Sequence, residues 1–252
     1  MAAPVGIARR FWLAYLALAA LLGTGLGLFV LGVEKPGPTP PPPWSLWEPA
    51  SETAGQRQVE IAQYVGRRYH LPSGHQLVRI IVGGPDAGSD PIRAVALART
   101  LTPTQESDVL SISDANETAM YILCGDAKKK CAIREGKATV ARGEVLRREA
   151  LELALYTFRY VDGAKSVVTF FPPKLGDAPT NALFFAKSQF ESQLDRPLRA
   201  TLPAAKPPVP GRLSPEEQKT IDSLTAPRVF KFALQREQSG ARVLVLAPNE
   251  TS

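Results

Sequence analysis

The stretch from Phe11 to Val33, FWLAYLALAALLGTGLGLFVLGV, holds no charged residue and constrains everything around it. As a helix rising about 1.5 Å per residue it would reach roughly 35 Å, enough for a hydrocarbon core of about 30 Å with some tilt. Two other readings compete. A buried soluble helix would normally carry a polar residue or two and would not sit at the extreme N-terminus. A cleaved signal peptide has a shorter apolar core of about 7–15 residues and ends at small residues. Here the run ends Leu31-Gly32-Val33-Glu34-Lys35, while Ala17-Leu18-Ala19 lies in mid-run. An uncleaved transmembrane signal anchor over 11–33 is the expectation, with the lipid bilayer as first partner.

Orientation follows from Lys and Arg near the ends of such a span. Arg9 and Arg10 abut its N-terminal side, whereas Lys35 is offset by Glu34. Residues 1–10 are therefore expected as a cytoplasmic tail and the rest as an extracytoplasmic region of the cell membrane. Ala19, Gly23 and Gly27 recur at a spacing of four, which lets two helices approach closely. That face is the candidate for a transmembrane homodimer or for contact with a membrane-protein partner.

Beyond the run, EKPGPTPPPPWSLWEPA over 34–50 reads as a stiff polyproline stem, with Trp44 and Trp47 at either the lipid headgroups or the start of a core. An exported α+β domain is expected over 51–201, a Pro-rich connector over 202–212, and a helix plus β-hairpin over 213–248, either separate or completing the same domain. Within the domain, the expected fold is a mixed, mainly antiparallel sheet packed with helices. QLVRIIV (76–82), 92–99, 108–113, TAMYILC (118–124), 166–171, 182–185, 228–235 and 241–247 have strand character. Helices are expected over 51–69 from a Ser51 cap, over 143–161, over 187–194, and after Leu213-Ser214-Pro215-Glu216, where Pro follows a Ser cap. In the helix over 143–161, Leu146, Ala150, Leu153, Ala154 and Phe158 form a wide apolar stripe.

Cys124 and Cys131 are the chain's two cysteines. Export permits a disulfide between them. If 131–133 and 138–141 return as strands, the pair lies across a hairpin. The bridge would be worth roughly 2.5 kcal/mol in the chain-entropy account.

Chemistry-bearing motifs are sparse. His70 and His75 flank a Pro-Ser-Gly turn without metal-protease spacing. The loop Gly83 to Asp90 follows a strand, and Asp86, Asp90 and His75 form a weak polar candidate without calcium-loop spacing. Lys165-Ser166 lacks the glycines of a phosphate-binding loop, and a dinucleotide fingerprint is absent. Glu144, Glu149 and Glu152 share a helix with Arg147 and Arg148. Paired carboxylates can serve acid–base chemistry, but beside arginines a solvated charged face is the expectation. The sequons Asn116-Glu117-Thr118 and Asn249-Glu250-Thr251 matter only in a glycosylating host. The net charge of +6 comes without a dense basic block interleaved with aromatics, so neither nucleic acid nor nucleotide is expected as a partner. No cofactor is expected. The sequence points to a non-catalytic binding or scaffolding module of the cell envelope. A membrane-tethered hydrolase with dispersed Asp, Glu and His, and a bitopic subunit of a larger membrane complex, are the alternatives.

Overall fold

The computed structural model describes residues 11–12, 14–24, 42–85, 91–125, 131–133, 135–236 and 240–249. The chain divides into two compact units, Met1–Pro42 and Pro43–Ser252. In the first, residues 11–12 and 14–24 are helical (α1). Residues 25–33, with Gly27, lie outside the described residues. Among the described residues no helix is long and apolar enough to cross a membrane.

The second unit is a mixed α+β fold. Among the described residues its strands are β1 (Arg79–Val82), β2 (Ile92–Ala98), β3 (Val109–Asp114), β4 (Thr118–Cys124), β5 (Ser166–Phe170), β6 (Asn181–Ala186), β7 (Val229–Arg236) and β8 (Arg242–Pro248). Its helices are α2 (Ala54–Gly66), α3 (Val140–Tyr160), the short α4 (Glu191–Leu194) and α5 (Pro215–Thr225). One sheet runs in the order β1-β4-β5-β6-β7-β8-β2-β3. The pairs β4–β5 and β2–β8 are parallel and the others antiparallel. The C-terminal helix and hairpin thus belong to the same sheet as the rest, because β7 pairs with β6 and β8 with β2.

Strand alternation sorts the side chains into two apolar clusters, since successive residues point to opposite faces. Ala119, Tyr121 and Leu123 of β4, Val167 of β5, and Leu183 and Phe185 of β6 pack with α2 and α3. Met120, Val168, Phe170, Ala182 and Phe184 point the other way and gather with Val95, Leu244 and Leu246. Phe230, Phe232 and Leu234 of β7 pack against that second cluster, Phe232 edge-on to Phe170 at 4.8 Å. The sheet curls to enclose it. A Cβ on Gly84 would sit 2.8 Å from Ile92 Cδ1 of β2 and 2.9 Å from Met120 Sδ of β4, so side chains of these distant strands meet closely over this glycine.

Both tryptophans belong to this unit's core rather than to a stem. Trp44 is 8 % exposed and edge-on to Tyr156 at 5.3 Å. Trp47 stacks on Tyr64 at 3.9 Å. The Trp44 carbonyl accepts from the Leu198 N–H at 2.8 Å, tying the start of the unit to the segment after α4.

Several boundaries differ from the sequence expectation for local reasons. Helix α2 starts after Thr53, whose hydroxyl caps Gln56 N, while the Ser51 hydroxyl instead donates to Glu60 Oε1. Between Gln76 and Arg79 the chain makes a bridge from Gln76 to His70 before entering β1. Residues 187–194 form a 3₁₀ turn and one turn of α4. Among the described residues the hairpin expected after Cys124 is absent. Residues 131–133 are not a named strand, and Thr139 caps α3 through the Arg142 N–H, so the segment expected to be the return strand is the first turn of α3.

Leu153 is fully buried where α3 meets the sheet. Leu153→Asp forfeits about 2 kcal/mol of burial and places a carboxylate among apolar groups at a further cost of several kcal/mol. Against a total stability of about 5–15 kcal/mol, it should abolish the cooperative thermal transition of residues 43–252, read by near-ultraviolet circular dichroism.

Candidate functional site

Helix α3 builds two sites on different sides. The first is a buried charged cluster. Val145, Glu149, Glu152 and Tyr156 follow at spacings of four, three and four, and therefore share one arc of the helix. Arg148 is 1 % exposed, Glu149 0 % and Glu152 1 %, so the expectation of a solvated charged face is overturned. The reason is tertiary. The end of α2, α5 and the connector bring matching groups to this arc. Arg148 Nε donates to Glu217 Oε1 of α5 at 2.7 Å, and Nη1 to Glu152 Oε2 at 3.1 Å and to Tyr69 OH at 2.5 Å. Its Nη2 donates to the Ala204 carbonyl at 3.3 Å. Tyr69 OH donates to Glu152 Oε2 at 2.6 Å, and Arg68 pairs with the other Glu152 oxygen.

Burial alone would lower the Arg148 pKa, but Tyr69, Glu152 and Glu217 outweigh it and hold the guanidinium charged. Burial, then the adjacent Glu152 carboxylate, push the Tyr69 phenol well above its ordinary 10.0. Glu149 differs from its neighbours. Neither of its carboxyl oxygens has a hydrogen-bond partner. Burial first, and then Glu152, raise its pKa well above the ordinary 4.5, against the opposing pull of Arg148 and Arg142. Burial without a hydrogen-bond partner thus disfavours the charged form of this carboxyl group. Arg142, 4 % exposed, donates to the carbonyls of Glu135 and Leu77, and burial lowers its pKa while Glu135 and Glu149 oppose that.

The second site is a cleft of about 600 Å³ on the outer side of α3. Val140, Gly143, Glu144 and Arg147 recur at helical spacing and form one wall. The segment after β5, Phe171 to Lys174, together with Thr180 and Asn181 where the chain enters β6, forms the other. Ile133, Val229 and Asn249 complete it. The surface therefore combines apolar patches with amide, hydroxyl and charged groups, among them Glu144, Arg147, Lys174 and Asp177. Helix α5 fixes the charged residues of the α3 wall from behind: Arg147 donates to Asp222 at 2.6 Å, and Gln218 donates to Glu144 at 2.7 Å. At Gly143 a side chain would meet nothing within 4 Å, so the wall has a notch there.

The residues singled out from sequence fall as follows. Cys124 and Cys131 form a disulfide. His75 sits on the surface with Nδ1 2.6 Å from Glu135 Oε2. Asp86 and Asp90 lie outside the described residues. Among the described residues no group of three or more His, Cys, Asp or Glu is placed to hold a metal ion. Ala19 and Gly23 are exposed on α1. Neither the cleft nor the charged cluster was anticipated. The cluster left one trace, the interleaving of Glu149 and Glu152 with Val145 and Tyr156. The cleft left none, since its walls come from separate parts of the chain.

Arg148→Met strands Glu217 in the core without its guanidinium. A loss of about 3–5 kcal/mol is expected, a drop of roughly 10 °C in melting temperature by scanning calorimetry. Glu149 acts with the opposite sign. Its folded-state pKa is raised, so its contribution is fully present below about pH 4.5 and is lost as pH rises towards the folded value, by about 1.4 kcal/mol per pH unit. Glu149→Met should flatten that decline, leaving stability at pH 5 nearly unchanged and raising it at pH 8 in urea titrations. An unaltered pH slope would show that Glu149 ionises normally.

The chain matches no family model, no curated protein and no solved structure.

Proposed function

We propose that the chain is a single-pass membrane-anchored protein whose residues 43–252 lie outside the cytoplasm and bind a partner of the cell envelope in the α3 cleft. The anchor reading rests on the uncharged run over 11–33 and on Arg9 and Arg10 before it. The disulfide fits an oxidising compartment.

The observation that carries the binding reading is the cleft itself. Its volume of about 600 Å³ falls in the range of ligand sites, and its walls combine apolar surface with a few polar groups held in place by α5. Val140, Ile133, Phe171 and Pro172 offer apolar contacts, while Thr139, Thr180, Asn181 and Asn249 offer groups that can pair with peptide amides. The occupant this suits is an extended peptide segment of an envelope protein. The reading as a bitopic subunit of a larger complex is compatible with it, the Ala19, Gly23 and Gly27 face then contributing within the bilayer.

Gly143 provides the test, because it lines the cleft and a Cβ there would meet nothing within 4 Å. A photocrosslinking residue at Val140 in the membrane-embedded full chain should capture one defined partner. Gly143→Trp should reduce that capture at least tenfold while the melting temperature stays within a few degrees. Equal capture by the Gly143→Trp chain would refute the cleft as the site. For the topology, protease added outside intact spheroplasts should degrade residues 43–252. Protection of that region with a sealed membrane would reverse the orientation.

A further inference from the structure

We propose that the Cys124–Cys131 disulfide is a redox control on the shape of this cleft, a proposal that rests on reading the cleft as the binding site. Cys124 ends β4 and is 1 % exposed, whereas Cys131 is half-buried. Cys131 has φ of 61°, the one positive φ of a non-glycine residue among those described, and L residues seldom adopt it. The disulfide holds Cys131 to the end of β4, where the Gly125 N–H donates to the Cys131 carbonyl at 3.1 Å. Gly125 is required beside it, because a Cβ there would collide with the Ala132 backbone. Two residues after Cys131, Ile133 lines the cleft and its N–H donates to the carbonyl of Pro173, another cleft-lining residue, at 3.1 Å. One covalent bond therefore anchors the short segment that closes one side of the site.

The reductant this requires is a dithiol. Its thiolate attacks the Cys131 sulfur, the more exposed of the two. The S–S bond breaks, and Cys124 leaves as a thiolate that takes up a proton. The donor's second thiolate then attacks the mixed disulfide and releases Cys131, which is protonated in turn. Two electrons pass from the dithiol, which ends as a disulfide, and two protons end on the cysteines. Freed from Cys124, Cys131 relaxes out of its left-handed backbone conformation and carries Ile133 off Pro173, widening the cleft. Reoxidation restores the wall.

Amide hydrogen exchange resolved at Ile133 reads this directly. The full chain in lipid is compared before and after dithiothreitol, with alkylation confirming two free thiols. Reduction should speed exchange at Ile133 at least tenfold while β5 and β6 keep their protection. The double variant Cys124→Ser, Cys131→Ser should show the fast exchange without reductant. An Ile133 amide that exchanges equally in both states overturns the proposal. So does a loss of protection spread through the sheet, because the bond would then be a general staple. The photocrosslink at Val140, run on the oxidised chain, separates the two ideas. If it captures nothing while Ile133 responds to reduction, the binding reading fails and the redox-mobile wall stands.

Discussion

The buried guanidinium of Arg148 is the interaction on which the arrangement of helices depends. Its nitrogens reach Glu217 of α5, Glu152 of its own helix, Tyr69 beyond α2 and the Ala204 carbonyl of the connector. Four separate parts of the chain thus converge on one planar cation. Such a group is costly to remove from water, and the cost is offset only where every donor finds an acceptor of good geometry. That demand fixes the helices in direction as well as distance, which apolar packing alone does not. The same placement of α5 positions Asp222 and Gln218 to hold Arg147 and Glu144 on the cleft wall. The interior network and the exposed site are two consequences of one helix position.

The strands and helices that alternate or cap strongly were legible in the sequence. Thr118 to Cys124 is a strand at the expected bounds, and Ser214-Pro215 starts α5 as its chemistry requires. The apolar stripe of α3 is buried as its spacing implies. These are local signals that tertiary contacts reinforce. What could not be read was pairing across long separations. The joining of β2 to β8 in parallel, and the meeting of Ile92 with Met120 over Gly84, have no signature within either segment.

The two clearest departures share that origin. Glu149 and Glu152 beside arginines look like a surface pattern because the groups that bury them are remote in sequence: Tyr69 donates to Glu152, and Glu217 accepts from Arg148. The residues after Cys131 look like a return strand because Ala138 to Ala141 is short and apolar. Thr139 instead caps a long helix whose other face needs burying, and the cap decides the matter. The cleft exists because of that choice: had those residues paired with β4, no wall would stand opposite Phe171 and Pro172.

The strand order also sets a timetable. Chains are made from the N-terminus, so β2 and β3 emerge well before β8, yet β2 finds its inner neighbour only when β8 has been made. Until then the β2–β3 pair is a two-stranded ribbon, marginal in water by itself, with Leu110 and Ile112 of β3 still exposed in the finished fold. Topologies dominated by such distant pairings fold slowly and leave strand edges open while they wait. The closing step therefore waits for β8, so a chain that stops short of it holds a sheet without its keystone.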